Sequence, residues 1–453
     1  MKRIMRNVAQ YLLKLNYLNE VGADMKLRVK PVFISHEEAF FRKLPSIERI
    51  RERVNEIMDE LSRNVEGYVS LEKPAILTSF KDIDKLLMDI SRDIDVFIGF
   101  RIGGMGHRLL AKIGLLKPPL ILLGPSVINY DVAAYVKELG GEVYVPLNYI
   151  ELNRVLKYLY IRKKLYRSRI LYISSKGLPP FSVISGTCDL NKLRRKFGIE
   201  TISISSEQLF EEYLKISSVE KDFNELIRKA RERNVDEREI FKALRLYKAI
   251  LNFIEKYSVD MVAISCAEPI YYKEKVTPCL SISLLKDRGI PAACEGDLSL
   301  LMGTTLLMEL SGKAAFIGNL WPHNINKNVF RISHDVPSIK MKGLREEGYS
   351  YSLYDFHGQK YGVTLYVDLE LNKDVTLARM HMSLDKILVF HGKVISSYQG
   401  ISCRQTLDIL VENPRMLLKK LSIYGHHFAL VYGDYVDEIT ELSEVLGLRT
   451  EVI

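Results

Sequence analysis

Residues 259–297 read VDMVAISCAEPIYYKEKVTPCLSISLLKDRGIPAACEGD. The apolar run VDMVAIS, a helical pattern from Thr277 to Asp287 and the short run IPAAC predict strand, helix and strand in sequence. That order belongs to a parallel sheet with helices on its faces. Parallel α/β sheets bind ligands where strands end and loops lead into helices. Both strands here end in acids: Cys266-Ala267-Glu268-Pro269 after the first, Glu295-Gly296-Asp297 after the second. If the strands are neighbours, Glu268 and one or both of Glu295 and Asp297 converge, and their repulsion asks for a divalent cation or a proton. Oxygen-rich sites suit Mn²⁺ or Mg²⁺. The competing reading is that Glu295 or Asp297 only caps the helix starting at Leu298.

The same alternation extends outward. Residues 26–165 carry KLRVKPVFIS, AILTSF, DVFIGF, PLILLG and GEVYVPL, with helical patterns between them, and form a first α/β domain. Residues 166–320 form a second, opening with RILYISS and closing with AAFIGN; helices are expected over Val219 to Arg233 and Glu237 to Tyr257. After Asn319 the segments YGVTLYVDLEL, VTLARMHM, KILVFHGKVISS and FALVYG predict mostly antiparallel strands with one closing helix, Val436 to Leu446. The expected fold class is therefore α/β: two α/β domains with parallel sheets, then a β-rich domain over residues 321–453. Residues 1–25 read as a basic amphipathic extension without a signal peptide's apolar core.

Composition narrows the function. The chain has 453 residues, 47% hydrophobic and 27% charged, long enough for several cores and unlike disordered or disulfide-stapled chains. No apolar run reaches the ~18 residues of a membrane span. A net charge of +9 arises from 65 basic against 56 acidic side chains, mixed along the chain rather than concentrated as in a nucleic-acid binder. The densest basic stretch, Lys157 to Arg169, reads as a solvated helix, with an RNA-binding face as its alternative. Few glutamines among many charges match a hyperthermophile's surface. The five cysteines form no CxxC pair, which leaves reduced thiols in a cytoplasmic protein.

Other candidate residues are weaker singly. His426 and His427 precede the run Phe-Ala-Leu-Val-Tyr-Gly-Asp, and adjacent strand residues face opposite ways, so one of them can face a common site. His334, His323 and the single tryptophan, Trp321, lie nearby in sequence. Ile102-Gly103-Gly104-Met105-Gly106 matches neither a dinucleotide fingerprint nor a P-loop and reads as a tight turn. No GxSxG elbow supports a serine hydrolase.

Together the motifs resemble the L-fucose isomerase-like family of the fucose/arabinose isomerases. The resemblance rests on Thr277-Pro278-Cys279-Leu280-Ser281, Gly289-Ile290-Pro291, Cys294-Glu295-Gly296-Asp297, Ser311 to Asn319, Val375-Thr376-Leu377-Ala378-Arg379 and His427 to Asp434. It covers residues 259–453; the N-terminal domain shows only the general alternation. His426 stands where fucose isomerases carry Asn, and His334-Asp335 where they usually read His-Cys.

The resemblance implies a three-domain, Mn²⁺-dependent ketol isomerase, with Mg²⁺ or Co²⁺ as substitutes. It acts on a small-molecule sugar as a homo-oligomer, hexamer or trimer, with no nucleic-acid or membrane partner. The implied metal ligands are Glu268, Asp297 and His427. Moving a proton between C1 and C2 through an enediolate calls for two carboxylates that exchange proton donor and acceptor roles. Glu268 and Asp297 are assigned to it, with Glu295 in reserve. His334 is expected to contact a sugar hydroxyl, while His426 and Trp321 are candidate substrate contacts. Alternatives are an isomerase for another aldose such as arabinose, and a catalytically silent sugar-binding protein on the same scaffold.

Overall fold

The computed structural model describes residues 25–35, 45–90, 94–400 and 402–453. The N-terminal extension lies outside them, apart from Met25. The chain divides into two compact units, residues 1–164 and 165–453.

In the first unit, strands β1 (Leu27–Ser35), β2 (Val69–Leu71), β3 (Ala75–Leu77), β4 (Val96–Gly103), β5 (Leu120–Leu122) and β6 (Val143–Tyr144) form an all-parallel sheet. Its order is β2-β1-β4-β5-β6, with β3 also on β1. Pro31 lies within β1, where proline ordinarily breaks a ladder. Val29 O accepts from Glu72 N, so odd-numbered residues of β1 turn their backbone toward β2 and β3. Those strands pair with residues 27–29 and 32–34, and the donor that Pro31 lacks falls in the gap between them. In the helix Tyr149–Tyr166, Arg162 pairs with Glu142 at 2.7 Å and Lys163 with Asp95 at 2.5 Å. Part of the densest basic stretch is thus engaged in ion pairs within the fold.

In the second unit, β7 (Arg169–Ile173), β8 (Glu200–Ile204), β9 (Ala230–Asn234), β10 (Met261–Ile264) and β11 (Ala292–Ala293) come first. Four of them form a parallel sheet in the order β11-β10-β7-β8. Val262 pairs with Ala292 and Ala263 with Ala293, so the two acid-terminated strands are indeed neighbours. The helix expected over Val219 to Arg233 instead stops at Lys229, and Ala230–Asn234 pairs in parallel with the distant strand Tyr351–Tyr354.

The remaining strands are β12 (Phe316–Asn324), β13 (Val329–His334), β14 (Tyr351–Tyr354), β15 (Thr364–Val367), β16 (Asp374–Met380), β17 (Lys386–Gln399), β18 (Gln405–Val411), β19 (His427–Tyr432) and β20 (Arg449–Val452). Strands β16, β19, β12, β13, β18 and β17 pair antiparallel in that order, and β17 returns to β16, closing a barrel. Closure removes the sheet edges that an open antiparallel sheet would leave unpaired. The strand begun by Phe316, read from sequence as the end of the second alternation, belongs to this barrel. Phe316, Phe330, Phe390 and Phe428 are buried in it. The helix Leu298–Ser311 is apolar nearly throughout and packs on β10 and β11 on one side and on β16 and β19 on the other. A helix buried on every face needs no polar stripe, and this one ties the sheet's ligand-binding edge to the barrel.

Candidate functional site

Four parallel strands deliver their carboxyl-end loops to one edge, and barrel residues meet them there. Glu268 follows β10 and is 1% exposed. It accepts hydrogen bonds from Ser174 Oγ at 2.6 Å, Ser206 Oγ at 2.7 Å and the Ser175 amide at 3.0 Å. Burial raises the cost of its charge, but these donors outweigh it and hold the carboxyl below its ordinary range. Glu268 is an anion already supplied with donors.

Asp297 is the N-cap of Leu298–Ser311, and its Oδ1 accepts from Leu300 N at 2.7 Å. The capping reading is therefore correct, but it is incomplete. Oδ2 accepts from Arg379 Nη1 at 2.8 Å and lies 3.2 Å from His427 Nδ1. Burial opposes ionisation here too, and the Arg379 guanidinium overcomes it, holding the carboxyl well below its usual range. Arg379, on β16, also donates to the carbonyls of Tyr424, His427 and Ser185. The strand motif contains it without pointing to a role; the signal in the sequence is a lone arginine within an apolar run, here one of the largest fully buried side chains. Gly186 presses on Asp297 from another side: a Cβ there would come within 2.7 Å of Asp297 Cγ.

His427 is fully buried at the start of β19, whereas His426 is exposed. With Nδ1 at Asp297, the His427 ring donates there and keeps its Nε2 lone pair free. That Nε2 is buried, has no hydrogen-bond partner, and lies 3.8 Å from Glu295 Oε2. A carboxylate–histidine pair with the far nitrogen bare is the arrangement of a metal ligand or a general base.

His334, at the end of β13, has the opposite tautomer. Its Nδ1 accepts from the Asp335 amide at 2.8 Å, so a neutral ring carries its proton on Nε2, 3.5 Å from Glu295 Oε1. His334 is a donor to the site.

Glu295 stands between the two imidazoles. Its φ is +57°, left-handed, as is that of Gly296 at +67°. The left-handed region is costly for a residue with a Cβ and is typical of functional loops. Two such residues in succession turn the Glu295 side chain away from the course a plain strand end would give it. Ser182 Oγ donates to Oε2 at 3.0 Å. Burial works against the charge, but the His334 contact and the neighbouring His427 pull the carboxyl down to about 2. Among the described residues, Glu295, His334 and His427 offer one ligand atom each within 4.8 Å of one another. The structure thus draws the residue held in reserve, Glu295, together with His427 and His334. Glu268 does not enter that group, and Asp297 touches it through His427. Trp321 is 39% exposed on β12.

No family model matches the chain. It is similar to the sulfoquinovose isomerase of Priestia megaterium, 22% identical over 309 residues that cover 66% of this chain and 68% of that protein. A sulfoquinovose isomerase of a Clostridium species is 22% identical over 364 residues, 74% of this chain and 79% of that one. That of Alkalicoccus urumqiensis is 23% identical over 285 residues, 60% and 62% of the two chains. In each case the similarity leads to a protein named for isomerising a sugar.

Proposed function

We propose that the chain is an aldose–ketose isomerase whose site is Glu295, His427 and His334, with Asp297 orienting His427. The observation that carries this reading is the bare, buried Nε2 of His427, aimed at Glu295 and backed by Asp297. The likeness to sulfoquinovose isomerases supports the reaction class.

The donor set fits a divalent cation, with His427 Nε2 and the Glu295 carboxylate holding Mn²⁺, or Mg²⁺ or Co²⁺ in its place. A cation bound there supplies Lewis acidity toward the carbonyl and hydroxyl oxygens of the sugar. The protein's own groups do the rest. Asp297 fixes the His427 ring and is itself fixed by Arg379. His334 Nε2–H is placed to donate to a sugar hydroxyl. Glu295, the most exposed of the three carboxylates, is placed to take the proton from C2 and return it to C1. The His334 contact is one of those that weaken Glu295 as a base, and a substrate hydroxyl accepting from His334 would relieve it. Glu268, cradled by serines, remains the alternative proton carrier.

The substrate class is an aldose. The candidates are L-fucose, D-arabinose and L-arabinose on the family resemblance, and sulfoquinovose on the names of the relatives. The test is ketose formation from these sugars by purified protein with added Mn²⁺, beside a sample stripped with EDTA. Metal-dependent ketose formation is expected. Stoichiometric cation with no turnover on any of them would favour the silent sugar-binding reading.

A further inference from the structure

We propose that Asp335, His357 and Cys403 form a second cation site, beginning one residue beyond the end of β13 at His334 and suited to Zn²⁺ or another borderline divalent metal. Among the described residues, these three supply the second group of potential ligands, with one donor atom each within 4.8 Å of one another. Asp335 is 1% exposed. Its Oδ1 accepts from the Arg404 amide at 2.8 Å. Its Oδ2 is buried without a hydrogen bond of acceptable geometry and lies 2.6 Å from His357 Nε2. Cys403 Sγ lies 3.5 Å from the same nitrogen.

A buried carboxylate ordinarily recruits a lysine or arginine. The nearest guanidinium in sequence, that of Arg404, is instead spent on the Asp355 carboxylate and carbonyl. His357 has φ +51° and stacks on Phe356 with ring centroids 4.0 Å apart, which fixes the direction of its nitrogen. One carboxylate oxygen, one imidazole nitrogen and one sulfur favour Zn²⁺ or Co²⁺ over Mg²⁺ or Ca²⁺, which prefer oxygen alone. Tetrahedral bonds of ~2.0–2.3 Å place ligand atoms ~3.3–3.8 Å apart. The sulfur–nitrogen spacing already meets that, and the Asp335–His357 pair reaches it by opening about 1 Å. Binding releases the thiol proton to solvent, so thiolate and carboxylate together balance a divalent charge. A cation there would also hold the Asp335 backbone, whose amide sets the tautomer of His334.

The probe is Co²⁺, added to the full-length metal-free protein and followed by absorption. A sulfur-to-cobalt charge-transfer band quenched by Zn²⁺ is expected, saturating within two equivalents in wild type, whose other site also takes Co²⁺, and at one equivalent in His427→Asn. It should vanish in Cys403→Ser, fall at least tenfold in apparent affinity in His357→Ala, and persist in His427→Asn and Cys266→Ser, with circular dichroism reporting that each variant is folded. Absence of the band in the folded wild-type protein, its survival in Cys403→Ser, or its loss in His427→Asn would overturn the assignment.

Discussion

Replacing Arg379 with Met is the sharpest test of how the site is held. Arg379 and Asp297 are both fully buried and 2.8 Å apart. Removing the guanidinium strands the Asp297 charge with the Leu300 amide and the His427 ring as its remaining donors. Breaking a buried pair from one side costs about 3–5 kcal/mol, because the surviving charge stays desolvated. At about 2 °C per kcal/mol for a chain of this size, that is a fall of about 6–10 °C in Tm. Asn at 297 keeps the N-cap acceptor and removes the charge, so Arg379→Met with Asp297→Asn should be much less unstable than the two single costs added together. A coupling of at least about 2 kcal/mol is expected between residues that share one buried contact. The assay is guanidinium unfolding of wild type, both single variants and the double variant, all in EDTA. A cost below about 1 kcal/mol for Arg379→Met, or simple additivity, would refute the buried pair as the element that fixes Asp297 and, through it, His427.

Further outcomes follow from neighbouring contacts. Gly186→Ala should lower kcat more than it changes overall folding, because its added methyl must displace Asp297; unchanged turnover would show the helix N-terminus yielding freely. His427→Asn should abolish stoichiometric binding of Mn²⁺ at the site while leaving the metal-free protein folded, read by equilibrium dialysis and circular dichroism. Lys286 is fully buried, and burial pushes its amine down to about 7. Unfolded, it would keep its proton to about 10.4, so between those values the unfolded chain binds the extra proton and stability rises with pH. Lys286→Met should flatten that rise, by a few kcal/mol at ~1.4 kcal/mol per unit, at the pH-independent cost of the Val336 carbonyl's donor. Equal slopes in both proteins between pH 7 and 10 would contradict a neutral buried lysine.

The parts of the fold that sequence reveals are those with local periodicity. The apolar strands and amphipathic helices of both α/β alternations announce themselves residue by residue, whereas the adjacency of β10 and β11 stands in the sequence only as a condition that the pairing of Val262 with Ala292 meets. Ala230–Asn234 does not announce itself, because the charged run ARERN reads as the end of a helix and becomes a strand only through Tyr351–Tyr354, far along the chain. Strands β13 and β18 are also absent from the sequence reading, although each forms a hairpin with its chain neighbour, β12 or β17; their pairing with each other, and that of β19 with β12 and β16, is nonlocal. In the site, the residue types were legible, but which carboxylate faces His427 was not. That depends on the consecutive left-handed residues Glu295 and Gly296 and on Arg379 claiming Asp297, neither of which has a spacing to read.

The most direct test of the central claim is solvent deuterium. Wild-type holoenzyme, Glu295→Gln and Glu268→Gln are incubated with the aldose panel in D₂O, and the recovered sugars are examined by NMR. Ketose carrying deuterium at C1, formed by wild type and by Glu268→Gln but lost in Glu295→Gln, is the result expected of a proton carried by Glu295. Deuterated ketose formed at the wild-type rate by Glu295→Gln would contradict it.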